Sequence, residues 1–296
     1  MTRGAALALM VAAPVMWSSA GVVTRHIERA EAVEQVFWRS FFAFAFVAGF
    51  LALRGRNPLA AVRAAGLPAL FSGFLWAVMF TAFVIALSLT TTANALVVMS
   101  ISPLLTVVCA RVVLSDPIPL RTWLAALAAM AGIAFMFASS MENHSVGMLV
   151  ALLIPVASAL NVVALRKHSA RVDLIPAVMV GGALSCLVAL PLALPVSASP
   201  RDLMLLAFLG VFQLGVPCMF LVMASRQLLA PEMALLGLLE VVLGPLWAWL
   251  GAGERPAPAT LIGGAVVLAA LVANELAALS SRTRSARSRR TASSYR

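Results

Sequence analysis

Charge is what this chain of 296 residues has least of, since Asp, Glu, Lys and Arg make up only 11% of it. A soluble domain carries about 25% charged residues, because its surface must face water. Hydrophobic residues account for 62% of the chain, against roughly 45–50% in a soluble domain. The composition therefore excludes a soluble domain and indicates an integral membrane protein.

Residue patterns that carry enzymatic chemistry are also missing. The chain has no GxxxxGK[ST], HExxH or CxxC motif, which argues against ATP hydrolysis and metal-dependent catalysis. Its three histidines fall in separate predicted loops. The cysteines lie at predicted membrane depth without metal-type spacing, and we interpret them as packing residues; they are Cys109, Cys186 and Cys218. We expect a protein that is not an enzyme and that holds no cofactor and no metal.

Ten apolar runs follow one another along the chain, each about 20 residues long, which is the length of a helix that crosses a bilayer. Their continuous hydrophobicity favours helices over the alternating pattern of membrane β-strands. The predicted spans cover approximately 4–23, 33–53, 65–88, 91–113, 120–139, 146–165, 174–196, 203–225, 231–251 and 259–279. The predicted fold class is therefore an all-α polytopic membrane protein.

The first run has an alternative interpretation. It follows Arg3 and ends near Ser18-Ser19-Ala20, as a cleavable secretory signal would. We keep it as a span because an internal repeat requires a helix there.

That repeat relates the two halves of the chain at a shift of about 140 residues. Pro14 to Arg25 matches Pro155 to Arg166 at an offset of 141, and Ala86 to Gly132 matches Ala224 to Ala270 at an offset of 138. Five spans is an odd number, so the second copy must enter the membrane from the opposite side. Inverted repeats of this kind are typical of secondary transporters.

The repeat divides the chain into two five-helix units, residues 1–140 and 141–280, followed by a basic cytoplasmic tail at 281–296 that we expect to be disordered. Attraction to anionic lipid headgroups or a plain topology signal explains the tail arginines better than nucleic-acid binding does. The expected partners are thus a small-molecule substrate and membrane lipid. The sequence does not decide between a monomer and a homodimer.

Two charged residues fall inside predicted spans, where a charge is costly unless it faces a partner or a watery cavity. Glu240, near the middle of the ninth span, is a candidate for binding an amino group or a proton. Arg39, in the second span, is a candidate for attracting a carboxylate. A structural ion pair, or an arginine that reaches the membrane interface, are the alternatives.

Aromatic, methionine and uncharged polar residues inside the spans complete the predicted site. Trp76, Met79, Phe80 and Phe83 share one face of the third helix, which suits an apolar pocket for a mid-sized solute. Packing against lipid or between helices is the alternative for each residue. The predicted substrate-binding residues are Trp17, Ser18, Arg39, Trp76, Met79, Phe80, Phe83, Met99, Ser102, Ser158, Asn161, Gln213 and Glu240. Predicted hinges are Pro14, Pro155 and Pro217, because proline interrupts a helix.

Several short motifs resemble those of the ten-helix EamA-type drug/metabolite transporters. They are Trp17-Ser18-Ser19, Arg39 within Phe37–Phe41, Pro103 followed by Leu114-Ser115-Asp116, and Leu239-Glu240 followed by Gly253-Glu254-Arg255. The chain departs from the family pattern at Ser18, Asp116 and Val241, where glycine, glutamate and proline are usual. Within the family it looks most like the YddG-type exporters of aromatic and other amino acids.

The resemblance and the repeat together predict a secondary transporter in the inner (cytoplasmic) membrane. We expect it to export amino acids, including aromatic ones, and related small metabolites by alternating access. An exporter of drugs or sugar-like metabolites with the same fold, a passive channel and a membrane-embedded enzyme are the alternatives.

The lysines and arginines predict the orientation, because positive charge resists translocation. With the N-terminus inside, sixteen of them lie on the cytoplasmic side and four on the other. A green fluorescent protein fused after Arg296 should therefore fluoresce, and alkaline phosphatase fused at the same point should be inactive. The opposite pair of results would place the C-terminus outside and contradict the predicted orientation.

Overall fold

All regular secondary structure is helical in the residues that the computed structural model describes, which are 1–90, 92–115, 118–137, 145–252 and 258–294. The first repeat contains α1 (Arg3–Trp17), α2 (Ala20–Thr24), α3 (Ala32–Leu53), α4 (Pro58–Leu89), α5 (Thr92–Met99), α6 (Ser102–Leu114) and α7 (Leu120–Phe137). The motif residues Asp116, Gly253, Glu254 and Arg255 lie outside the described residues.

The second repeat begins with α8 (Ser145–His168) and α9 (Ile175–Ala189), which a 3₁₀ turn extends to Leu192. Its third span is composite, because α10 (Pro200–Phe208) passes into a π-helical segment (Leu209–Gly215) and then into α11 (Val216–Ala224). The chain continues with α12 (Ala230–Gly237), α13 (Leu239–Ala252) and α14 (Pro258–Ser294).

These helices account for the ten predicted spans. Seven stretches of the described residues are long and apolar enough to cross a membrane, and two shorter apolar helices occupy the fifth and tenth positions. The ninth span is divided between α12 and α13, which together run from Ala230 to Ala252 and so match the length of a membrane crossing. The all-α, ten-span architecture predicted from hydropathy is confirmed.

Several helices start where the sequence supplies a cap. Asn57 accepts hydrogen bonds from the backbone N–H groups of Leu59 and Ala60 at the start of α4. Ser199 and Asp202 form a reciprocal capping box at the start of α10, which satisfies amides that the helix itself leaves unbonded. Proline occupies the first turn of both helices, where its missing N–H costs nothing.

The third span begins earlier than predicted. α4 includes a first segment before Gly66, where the backbone turns through φ 62° and ψ −150°. Only glycine adopts this conformation without strain. The sequence predicted a start near residue 65, so the prediction located the spanning part and missed the short helix in front of it.

The last helix extends beyond the tenth predicted span, because α14 runs from Pro258 to Ser294. The chain has no glycine after Gly264 and no proline after Pro258. The tail is rich in Arg, Ser and Ala, of which Arg and Ala favour helix strongly, so the helix of the tenth span continues into it.

The fourth and ninth spans break at equivalent points of the repeat. α5 gives way to α6 at Ser100 and Ile101, and α12 gives way to α13 at Leu238. The offset of 138 found in the sequence relates Ser100 to Leu238. Each break follows a helix of eight residues, so the two copies share an interruption near mid-span.

Helix packing repeats with the same symmetry and joins the two halves along most of their length. α4 packs against α8, and the equivalent contact in the other repeat is between α11 and α1. α4 also packs against α9, and the counterpart is the π-helical segment against α3. α7 and α14, the last spans of the two repeats, pack against each other.

Glycines permit the closest of these approaches, as they do in membrane helix packing generally. A Cβ atom at Gly73 in α4 would lie 2.6 Å from the Cβ of Val180. A Cβ at Gly210 would lie 2.6 Å from the Cβ of Phe42 in α3. Gly73 and Gly210 thus occupy corresponding places in the two repeats.

Polar contacts tie the repeats together at both faces of the bundle. On one face, Arg3 forms a two-point ion pair with Glu232 at 2.9 and 3.0 Å, and Arg56 pairs with Asp173 at 2.6 Å. On the other face, Glu34 accepts hydrogen bonds from the backbone N–H groups of Ser197 and Ala198. The two repeats are therefore joined by polar contacts at both faces.

The contact between α7 and α14 gives a test of this packing. A Cβ at Gly263 would collide with the backbone oxygen of Gly132 and with the side chain of Met136, so Gly263→Ala should lower the free energy of unfolding by about 1–3 kcal/mol through overpacking. The measurement is the thermal unfolding midpoint in detergent.

Gly49→Ala is the matched control, because a Cβ there meets no atom within 4 Å and alanine favours helix. Its midpoint should stay unchanged or rise. An equal loss in both variants would contradict the close approach of α7 and α14.

Candidate functional site

A cavity lies between the two repeats and offers about 150 Å³ to the centres of water-sized molecules. This volume is well above what a single water requires, so the cavity has room for a small metabolite. Its wall draws on α1, α3, α4, α5, α6, α8, α11, α12, α13 and the π-helical segment. Both repeats thus contribute to one cavity.

The structure brings nearly all of the predicted binding residues to this wall. The residues that line it are Trp17, Arg39, Trp76, Met79, Phe80, Phe83, Met99, Ser102, Ser158, Asn161, Gln213 and Glu240. They come from eight separate helical segments, so no single stretch of sequence contains the site.

Ser18 is placed elsewhere. It lies between α1 and α2, where its hydroxyl donates to the carbonyl of Val15 at 2.8 Å and accepts from Trp247 Nε1 at 2.7 Å. Adjacent residues of a helix point about 100° apart, so Trp17 faces the cavity and Ser18 does not. Ser18 joins α1 to α13, and the expectation that it lines the cavity was wrong.

The three predicted hinge prolines have different surroundings. α1 ends shortly after Pro14, whereas α8 continues through Pro155, which lines the cavity. Pro217 is the second residue of α11, which follows the π-helical segment. Because proline has no N–H, Pro217 removes one helical bond at the point where the widened turn returns to α-helix.

Arg39 is 3% exposed and is held from two directions. One guanidinium nitrogen, Nη2, donates to the carbonyl of Phe80 at 3.1 Å, and Cζ lies 5.7 Å from the ring centroid of Phe83. This distance suits a cation–π contact. Its Nε is buried and has no hydrogen-bond partner among the described residues.

Glu240 occupies the first turn of α13, two residues after the break at Leu238. It interacts electrostatically with Arg39. Within the described part of the chain, however, the two side chains form no ion pair at 4 Å or less. The cavity therefore presents one positive and one negative group that do not neutralise each other by direct contact.

The apolar part of the wall is aromatic on one side. Trp76 and Phe80, one helical turn apart on α4, have ring centroids 5.5 Å apart. Met79 and Met99 also line the cavity. Flexible methionine side chains adapt to ligands of different shape, and the aromatic rings supply a large apolar surface.

Sequence reasoning missed a further set of wall residues, all of them apolar except for the small thiol of Cys218. They include Met10, Ile154, Val162, Leu214, Cys218, Leu221 and Met233. Leu214, Cys218 and Leu221 follow i, i+4, i+7 spacing, which places them on one helical face. Their spacing from one another was the available signal, and residue type gave none, because lipid-facing positions have the same composition.

The comparisons with known proteins agree with this architecture. Residues 4–138 and 145–274 each match the model of the EamA-like transporter family. The chain belongs to that family. No curated protein matches its sequence. One solved protein, described only as "Crystal structure of protein", is 18% identical with a TM-score of 0.78, and the match covers 91% of this chain and 96% of that one.

Membership in the EamA-like family makes this protein a multi-pass membrane transporter of small molecules. The solved relative is too distant in sequence to show more than the fold. The cavity between the repeats is the place in the described structure where such a molecule would fit.

Thiol labelling tests whether water reaches the cavity at membrane depth. In a background with Cys109, Cys186 and Cys218 replaced by alanine, Met99→Cys should react at least about tenfold faster with 2-aminoethyl methanethiosulfonate than Val108→Cys. The thiolate that reacts forms only where it is solvated. Met99 lines the cavity, whereas Val108, in the same span, is exposed on the outside of the bundle. Equal rates would contradict a watery cavity at Met99.

Proposed function

We propose that this transporter exports amino acids, including aromatic ones, and related small metabolites by alternating access. The observation that carries the proposal is the presence in one cavity of an aromatic wall and of two oppositely charged side chains, Arg39 and Glu240, that form no direct ion pair. A zwitterion with an apolar side chain is the class of small solute that complements all three features.

The charged groups support the zwitterionic part of the ligand. Arg39 is buried, and its Nε lacks a partner in the described structure, which suits the carboxylate of an amino acid. Glu240 lines the same cavity from the second repeat and suits an ammonium group. A charge held in a membrane interior calls for such a partner or for water.

The apolar wall supports the choice of side chain. Trp76 and Phe80 offer ring faces and edges on which an aromatic side chain packs. The methionines at positions 10, 79, 99 and 233 line other parts of the cavity. This combination accommodates several apolar side chains, so we expect a substrate range broader than a single amino acid.

The repeats support alternating access. Both copies line the cavity, and each has a span that breaks at the equivalent position, Ser100 and Leu238. When two copies exchange their conformations, access to a site between them moves from one side of the membrane to the other.

The expected location is the inner membrane with both termini in the cytoplasm. It rests on the excess of lysine and arginine in the loops on the side of the N-terminus. Export of metabolites follows from the resemblance to amino acid exporters, and the transport assay below decides between this role and transport of drugs or sugar-like solutes.

Replacement of the two charges tests the site. Glu240→Gln and Arg39→Gln should each reduce counterflow of labelled phenylalanine in proteoliposomes by at least about tenfold, because each removes a charge-assisted contact. Glu31→Gln and Arg171→Gln are the controls, since both residues are exposed. Thermal unfolding of each purified variant shows whether the protein stays folded.

The same assay tests the proposed activity as a whole. Saturable phenylalanine flux that is accelerated by unlabelled phenylalanine on the opposite side supports a carrier. Flux that neither saturates nor shows counterflow indicates a channel. Transport of drugs or sugars without any transport of phenylalanine, tryptophan or other amino acids would overturn the amino acid assignment.

A further inference from the structure

Two buried amide side chains at the cavity wall are each held at one end only. Asn161 is fully buried, and its Oδ1 accepts a hydrogen bond from Ser72 Oγ at 2.6 Å, while its Nδ2 has no partner in the described structure. Gln213 is 4% exposed and has the opposite arrangement. Its Nε2 donates to the carbonyl of Trp17 at 3.3 Å, and its Oε1 is left without a partner among described residues.

The bonded end of each amide decides what the other end offers. An amide has a carbonyl acceptor at one end and an NH₂ donor at the other. Because Ser72 donates to the carbonyl of Asn161, the end of Asn161 that remains free is a donor. Because the Trp17 carbonyl takes the NH₂ of Gln213, the end of Gln213 that remains free is an acceptor.

Two other buried donors share the wall with Asn161. Trp76 is 5% exposed, and its Nε1 has no hydrogen-bond partner in the described part of the chain. Nε of Arg39 also has no hydrogen-bond partner there. Indole and guanidinium nitrogens only donate, so no rearrangement turns them into acceptors. A buried donor without a partner costs about 1–3 kcal/mol, and a ligand rich in acceptors relieves that cost.

We infer that Asn161, Trp76 and Arg39 together recognise the carboxylate of the substrate, and that Ser72 is a positioning residue that keeps the amide of Asn161 in the donating orientation. This inference rests on the proposed transport of amino acids and adds that the carboxylate is the required group. A carboxylate has two oxygens and about four acceptor positions, enough for all three donors. A carboxamide replaces one oxygen with an NH₂ that faces the same donors, and it loses the negative charge.

Ser72 has a purely structural alternative, namely a hydrogen bond that holds α4 to α8 as serines do between many membrane helices. The two roles differ in their consequences. Loss of a structural bond changes stability and affects every substrate in the same ratio. Loss of the orienting bond lets the amide turn its carbonyl toward the cavity, which changes the preference between a carboxylate and a carboxamide.

The experiment measures that preference directly. Unlabelled phenylalanine and phenylalanine amide compete against counterflow of labelled phenylalanine in proteoliposomes, and the ratio of their half-inhibitory concentrations is the readout. The wild-type protein should prefer phenylalanine by at least about tenfold, as expected for hydrogen bonds to a charged group. Ser72→Ala should reduce this ratio by about fivefold or more, and Ser72→Thr, which retains the hydroxyl, should preserve it.

Two further variants separate orientation from packing. Ser40→Ala is the matched control, because Ser40 is equally buried and its hydroxyl donates to Ser185 Oγ at 3.0 Å between α3 and α9. It should alter the unfolding midpoint without altering the ratio. Asn161→Asp places an acceptor where Asn161 has its donor, and should weaken phenylalanine binding more than binding of the amide.

Each result leads to a separate conclusion. A wild-type protein that transports phenylalanine but binds the amide equally well would overturn the inference and leave the proposed function standing. A ratio unchanged in Ser72→Ala and Asn161→Asp would also overturn it, and would make Ser72 a structural residue. A wild-type protein that transports no amino acid would overturn the proposed function itself.

Discussion

The hydrocarbon interior of a membrane contains no water, so every polar group placed there must find its partner within the protein. Away from the cavity this protein meets that requirement with direct bonds between helices. Ser40 bonds to Ser185, and Thr122 bonds to Asn274. At the cavity wall, Arg39, Trp76, Asn161 and Gln213 each keep one polar atom without a partner in the described structure. This contrast distinguishes the cavity from ordinary helix packing.

The scaffold is symmetric, whereas the chemistry of the cavity is not. Gly73 and Gly210 allow corresponding close approaches in the two repeats, and their neighbours Val180 and Phe42 also correspond at the offset of 138. The charge of Arg39, in contrast, has the uncharged Ala177 at the equivalent position. Glu240 in turn corresponds to Ser102 at the offset of 138. In the proposed mechanism, two copies of one packing pattern exchange conformations at similar energy. Arg39 and Glu240, each without a charged counterpart in the other copy, would give a ligand a single orientation.

Sequence reasoning located cavity residues best where the residue type is energetically costly to place in an apolar span. A charge or an amide in an apolar span is expensive, and Arg39, Glu240, Asn161 and Gln213 all line the cavity. It was least successful for residues that cost little free energy to bury. Ser18 lies next to Trp17 but bonds to Trp247. Apolar wall residues such as Leu221 cannot be distinguished from lipid-facing residues by residue type.

The sequence by itself determined that the protein is an all-helical membrane protein, that it has ten spans, and that those spans repeat after five. These properties follow from hydropathy and spacing, which are local features of the chain. Only the tertiary structure decided which face of each helix meets the cavity and which end of each amide stays free. Lipid and protein interior are equally apolar, so a helix has no hydrophobic preference between them, and the answer depends on which neighbours it packs against.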